Sequence, residues 1–82
     1  AKLVDQSFDL NSSLDGWAKC YTNSVPKNAP AEGFSFYRTL NLGSGTAMQL
    51  AFVLNFSVTK STVNLYTRVM ASGAWQDWTK NF

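Results

Sequence analysis

No histidine occurs in this 82-residue chain. The commonest general base is therefore missing, as is the usual partner of a serine or cysteine nucleophile. A single cysteine, Cys20, excludes an intrachain disulfide framework and a cysteine-based zinc site, and it reads as a small buried hydrophobe. Charge is scarce too: 15% of residues are charged, against about 25% in ordinary globular chains. The net charge of +2 comes from the scattered Lys2, Lys19, Lys27, Arg38, Lys60, Arg68 and Lys80. With no basic run or stripe, it gives no grounds for a nucleic-acid partner. No apolar run approaches the roughly 18 residues needed to cross a bilayer, so membrane insertion is not expected. The longest, residues 48–56, is broken by Gln49 and Asn55.

What the chain does have is rings. Three tryptophans, three tyrosines and six phenylalanines are many for its length. A domain this small sits near the lower limit of what one core supports, so assembly with other chains is expected. Many aromatics with little charge point the same way, to a surface consumed by other subunits or by a ligand.

The pattern is that of short strands. Residues 17–22 alternate, with Trp17, Lys19 and Tyr21 on one side and Ala18 and Cys20 on the other. Pro26, Pro30 and Gly33 make a loop, residues 34–42 resume strand character, and Gly43-Ser44-Gly45 turns the chain. Residues 46–58 give the clearest period of two. Met48, Leu50, Phe52, Leu54, Phe56 and Val58 share one side, which is expected to face the core. A C-terminal hairpin, Val63–Lys80, turns at Ser72-Gly73, where glycine supplies the positive φ of a primed turn. The expected fold is mainly β: a small antiparallel sandwich or curled sheet of about five to six strands. Residues 1–9 read as a lead-in, the end of a shaft or a linker, and residues 10–82 as the domain.

In the hairpin, uniform pairing from Ala71 opposite Ala74 puts Met70 opposite Trp75, Arg68 opposite Asp77 and Thr67 opposite Trp78. Tyr66, Arg68, Met70, Trp75 and Asp77 then share one face, and Val63, Leu65, Val69 and Trp78 the other, which is read as the core face. Arg68 is expected to pair with Asp77 and to lie near Trp75. Tyr66, Arg68, Trp75, Asp77 and Trp78 are read as a structural clasp, with a subunit contact or a ligand site as the alternatives for the charged face.

The acids are Asp5, Asp9, Asp15, Glu32 and Asp77. Asp9 and Asp15 are too arbitrary a pair to argue for glycoside hydrolysis. The alternation Asp9, Asn11, Ser13, Asp15 fails as a calcium loop, because Leu14 stands where glycine is needed and Cys20 where the closing glutamate is needed. No P-loop, dinucleotide fingerprint, metal pattern or cofactor motif is present, and an enzyme is not expected. Flat rings stack on sugar faces while Arg, Asn, Gln and Asp hold hydroxyls. On that chemistry the ligand candidates are Trp17, Tyr21, Tyr37, Arg38 and Gln49, each with core or interface packing as the alternative.

Several short pieces occur in a telling order: Leu10-Asn11 before Gly16-Trp17, Asn28-Ala29-Pro30, then Phe34 and Phe36, Gln49-Leu50-Ala51, Leu65-Tyr66-Thr67-Arg68, and Gly73-x-Trp75-x-x-Trp78. From about Leu10 to the end, the chain resembles the C-terminal knob modules of phage tail fibres and phage-derived bacteriocins, the pyocin-knob domains. It departs from them at Trp17, Lys19 and Cys20, where smaller or aliphatic residues are more familiar. The resemblance implies a small β module at the tip of a trimeric fibre, following the upstream shaft of the same chain, on the outside of a virion. It implies a receptor-binding head that binds host cell-surface saccharide without cleaving it. The alternative is a structural trimerisation or virion-decoration module, like a head fibre, that makes protein contacts only.

Overall fold

Two tight turns set the frame. Ser44-Gly45 and Ser72-Gly73 each carry positive φ at both central residues (56° and 75°; 53° and 80°). This is the primed geometry whose twist matches the strands it joins. A computed structural model describes residues 1–13 and 15–82. Among these residues seven strands form a single sheet: β1 (Lys2–Leu3), β2 (Gly16–Cys20), β3 (Ser35–Gly43), β4 (Thr46–Asn55), β5 (Thr62–Ala71), β6 (Ala74–Trp75) and β7 (Thr79–Lys80). They run in the order β1-β2-β3-β4-β5-β6, and β7 also pairs with β5. Among these strands only β1 and β2 pair in parallel. The two turns meet side by side. Gly73 N donates to Gly45 O, and a Cβ on Gly45 would lie 2.8 Å from Gly73 N. That contact leaves no room for a side chain at Gly45.

The mainly β expectation holds, and of its two forms the sheet replaces the sandwich: no second sheet is present among the described residues. Leu14, the misfit in the calcium-loop comparison, lies outside the described residues. Irregular chain covers one side of the sheet. The segment around Val4, Phe8 and Leu10, together with Val25 and Ala29, packs on Ala18, Cys20, Tyr37 and Ala51. The first nine residues, read from the sequence as a lead-in, therefore supply β1 to the sheet and the buried Val4 to the core. Loop and lead-in hold together by backbone bonds, Lys27 N to Phe8 O and Leu10 N to Lys27 O.

The largest correction concerns which side is covered. On β4 it is Ala47, Gln49, Ala51 and Val53 that are buried; Met48 is 38% exposed, and Leu50, Phe52 and Leu54 are half-buried. On β5 it is the Tyr66–Arg68–Met70 side that is covered, not the side of Val63, Leu65 and Val69. The reason lies in the cover. Irregular chain brings carbonyls with no ladder partner, and side chains of the facing strands supply donors to them. Gln49 donates to Leu10 O, Trp75 to Asn11 O, Trp78 to Asn28 O, and Ser35 to Gly33 O. Small residues at Ala18, Ala47 and Ala51 leave space for the loops to approach. A face that looks polar in the sequence is thus the one that a loop cover requires.

Candidate functional site

The covered side centres on Arg68. Its Nε donates to Gln49 Oε1 at 2.8 Å. Gln49, fully buried, spends its own amide on Leu10 O (2.7 Å) and Thr39 Oγ1 (3.0 Å). The guanidinium carbon lies between two indoles, 4.4 Å from the ring centroid of Trp75 and 4.7 Å from that of Trp78. Each indole is pinned through its N–H, Trp75 to Asn11 O at 3.2 Å and Trp78 to Asn28 O at 2.8 Å. Desolvation strengthens such cation–π contacts, and here it is nearly complete, since Arg68 is only 6% exposed.

Both indoles reach the cation because the hairpin does not pair uniformly. Ala71–Ala74 and Met70–Trp75 pair as expected. The ladder resumes at Thr67–Thr79 and Tyr66–Lys80, one residue later than uniform pairing gives. Gln76, Asp77 and Trp78 thus stand against only Val69 and Arg68, a bulge that re-aims side chains. It carries Trp78 from the side of Val63, Leu65 and Val69, where uniform pairing puts it, to the covered side with Arg68, and it ends the expected Arg68–Asp77 pairing. Asp77 is exposed instead.

The result is a buried cation without an anionic partner. Burial pulls the Arg68 guanidinium down to about 10, and the charge of Asp9 opposes that shift. Its Nη2 is buried, and no described group accepts a hydrogen bond from it. Asp9 is engaged elsewhere. Its Oδ1 accepts from Asn11 N (2.9 Å) and Asn28 Nδ2 (2.7 Å), and these bonds hold its carboxyl below the usual carboxylate range. Over the caged arginine lies an open cavity of about 320 Å³, lined by Asn11, Asn28, Ala29, Arg68, Trp75, Gln76, Asp77 and Trp78. Indole, amide, carboxylate and guanidinium around a shallow hollow make the mixture that recognises a sugar ring.

The residues read from the sequence as ligand candidates do not form one group. Tyr37 (1% exposed) and Gln49 (0%) are buried on the covered side, and neither reaches the surface. The Tyr37 hydroxyl lies 3.4 Å from Cys20 Sγ, and burial, then that contact, raises the phenol above its ordinary value. Trp17, Tyr21 and Arg38 lie on the opposite, open side. There Trp17 stacks on Phe52 (6.3 Å between centroids) with Arg38 over its ring at 5.5 Å. Tyr21, Phe34 and Phe56 meet edge to face in a row. Of the expected clasp, Arg68, Trp75 and Trp78 come together, Tyr66 packs against the core, and Asp77 sits at the cavity rim. Asn11, Asn28 and Gln76 were not singled out as ligand candidates, yet they line the cavity. The signal for the first two was present in Leu10-Asn11 and Asn28-Ala29-Pro30. Among the described residues no cluster of three or more His, Cys, Asp or Glu is placed to hold a metal ion.

Compared with known proteins, the chain matches no family model, no curated protein and no solved structure.

Proposed function

We propose that this chain is the receptor-binding head of a phage tail fibre or baseplate protein, a homotrimer that binds host cell-surface saccharide without cleaving it. One observation carries the reading. Of the scattered pieces on which the resemblance to knob modules rests, Leu10-Asn11, Asn28-Ala29, Gln49, Arg68, Trp75 and Trp78 meet in a single cluster, while Trp17, Phe34 and Phe36 lie on the open side. Arg68 and Trp78 lie in its centre with Trp75, and Gln49, Asn11 and Asn28 each give them a hydrogen bond partner. A cavity large enough for one sugar unit opens directly above. Asp9, kept ionised by its two amide donors, is a poor proton donor, which fits binding better than hydrolysis.

The trimer draws support from the open side of the sheet. Phe36, Met48, Val63 and Val69 are 43%, 38%, 47% and 46% exposed there, beside Trp17 at 49%. Strands β2 to β5, about 4.8 Å apart and up to some ten residues long at about 3.3 Å each, give a footprint of roughly 600 Å². Stable interfaces cover about 800 Å² per partner, so this face with its rim suits contact with further copies of the chain. The same face, taken alone, favours a second reading: a trimerisation or virion-decoration module that makes protein contacts only.

Host wall polysaccharide separates the two. The receptor-binding head retains the polysaccharide and releases no new reducing ends over hours of incubation. A chain that shows no binding at millimolar sugar equivalents is a decoration module, and one that liberates reducing ends is an enzyme.

A further inference from the structure

Gln49 and the two indoles close off much of the Arg68 guanidinium. Its Nε is taken by Gln49 and its faces by the two indoles, so what remains is the Nη edge, and Arg68 is part of the cavity lining. Nη2 itself is sealed from solvent and lacks an acceptor among the described residues, so the charge behind that edge is left unpaired. A buried charged donor without an acceptor is costly, and an incoming anion relieves it more than a neutral oxygen does, since charge-assisted hydrogen bonds are about twice as strong. The side chains around the cavity suit such a visitor. Asn11, Asn28 and Gln76 can each donate from an amide, and the indole rings give apolar walls for the carbons of a ring. The one acid in the lining is Asp77, exposed at the rim, where it accepts from hydroxyls but repels a carboxylate.

We infer that the cavity takes an acidic saccharide unit, with the carboxylate directed to the Nη edge of Arg68 and the pyranose ring lying against Trp75 and Trp78. This rests on the saccharide-binding reading above and specifies its ligand class. Its volume, about 320 Å³, is at the small end of ligand pockets, which suits one sugar residue of a longer chain. Neutral hexoses fit the same walls but leave the cation unpaired.

The test uses glucuronic acid and glucose as probes, titrated calorimetrically into the intact chain at low and at physiological salt. Glucuronic acid is expected to bind about tenfold or more tightly than glucose, with the advantage shrinking as salt rises. Arg68→Lys is a poor variant, because it dismantles the cage along with the site. Asp77→Asn keeps the cage and removes the rim repulsion, and it should raise the ratio of glucuronic acid to glucose affinity about threefold. Equal affinities for the two sugars, or a ratio unmoved by Asp77→Asn, would overturn the acidic class while leaving saccharide binding intact. Binding of neither sugar, nor of wall polysaccharide, would remove the saccharide reading itself.

Discussion

Gln49→Leu is expected to unfold the domain near room temperature. The leucine is close in size and more apolar, so a reading from hydrophobicity alone predicts a gain. The covered face predicts the reverse. Gln49 is fully buried and makes three hydrogen bonds, donating to Leu10 O and Thr39 Oγ1 and accepting from Arg68 Nε. Leucine takes one of two donors from Leu10 O, which keeps Ser13 N, at about 1 kcal/mol, and leaves the charged Arg68 Nε unsatisfied in the interior, at about 3 kcal/mol. A total of roughly 4 kcal/mol approaches the whole stability of a small domain, and in one of this length each kcal/mol moves the Tm by about 4–8 °C. Thermal unfolding followed by circular dichroism should show a fall of about 20 °C or no folded baseline at all. A Tm within about 5 °C of the parent would mean that the network contributes little.

Phe36→Glu should have the opposite profile, leaving the fold in place and breaking the assembly. Phe36 stands on the open side of β3, opposite Phe52 on β4 and Lys19 on β2. In a single chain, a glutamate there meets water and a neighbouring lysine, so the cost to folding is small. Between copies of the chain it places an unpaired charge in an apolar contact, which costs about 3 kcal/mol or more and weakens association at least about a hundredfold. Light scattering at micromolar concentration should report three times the chain mass for the parent and a single chain mass for the variant, with unchanged circular dichroism. Val58→Glu, on a fully exposed loop residue, should leave the trimer intact. A parent that runs as a monomer would remove the role assigned to the open face.

These two substitutions mark what was legible in the sequence. Strand positions were, because alternation over residues 46–58 and the Ser72-Gly73 turn are local signals. The choice of face was not. Alternation gives two sides, and the rule that the more apolar one faces inward assumes a regular, self-satisfied cover. Here the cover is loop and lead-in, whose carbonyls lie outside the ladder and accept from Gln49, Ser35, Trp75 and Trp78 on the inner side. Nor was the register of the last hairpin legible: nothing in Gln76-Asp77-Trp78 announces an extra residue, yet that residue moves Trp78 across the sheet and frees Asp77 from Arg68. The candidate site follows from both. Its arginine and tryptophans were legible as a group, but their grouping with Asn11 and Asn28 depends on the loops.

The central claim is that the caged arginine, and not the open sheet, meets the receptor. The three indole N–H groups, Trp17 on the open side and Trp75 and Trp78 at the cavity, test it directly in a proton–nitrogen correlation spectrum recorded during titration with host wall saccharide. Saturable shifts of the Trp75 and Trp78 resonances with Trp17 unmoved are the predicted result. Shifts confined to Trp17, or none at all, would contradict it.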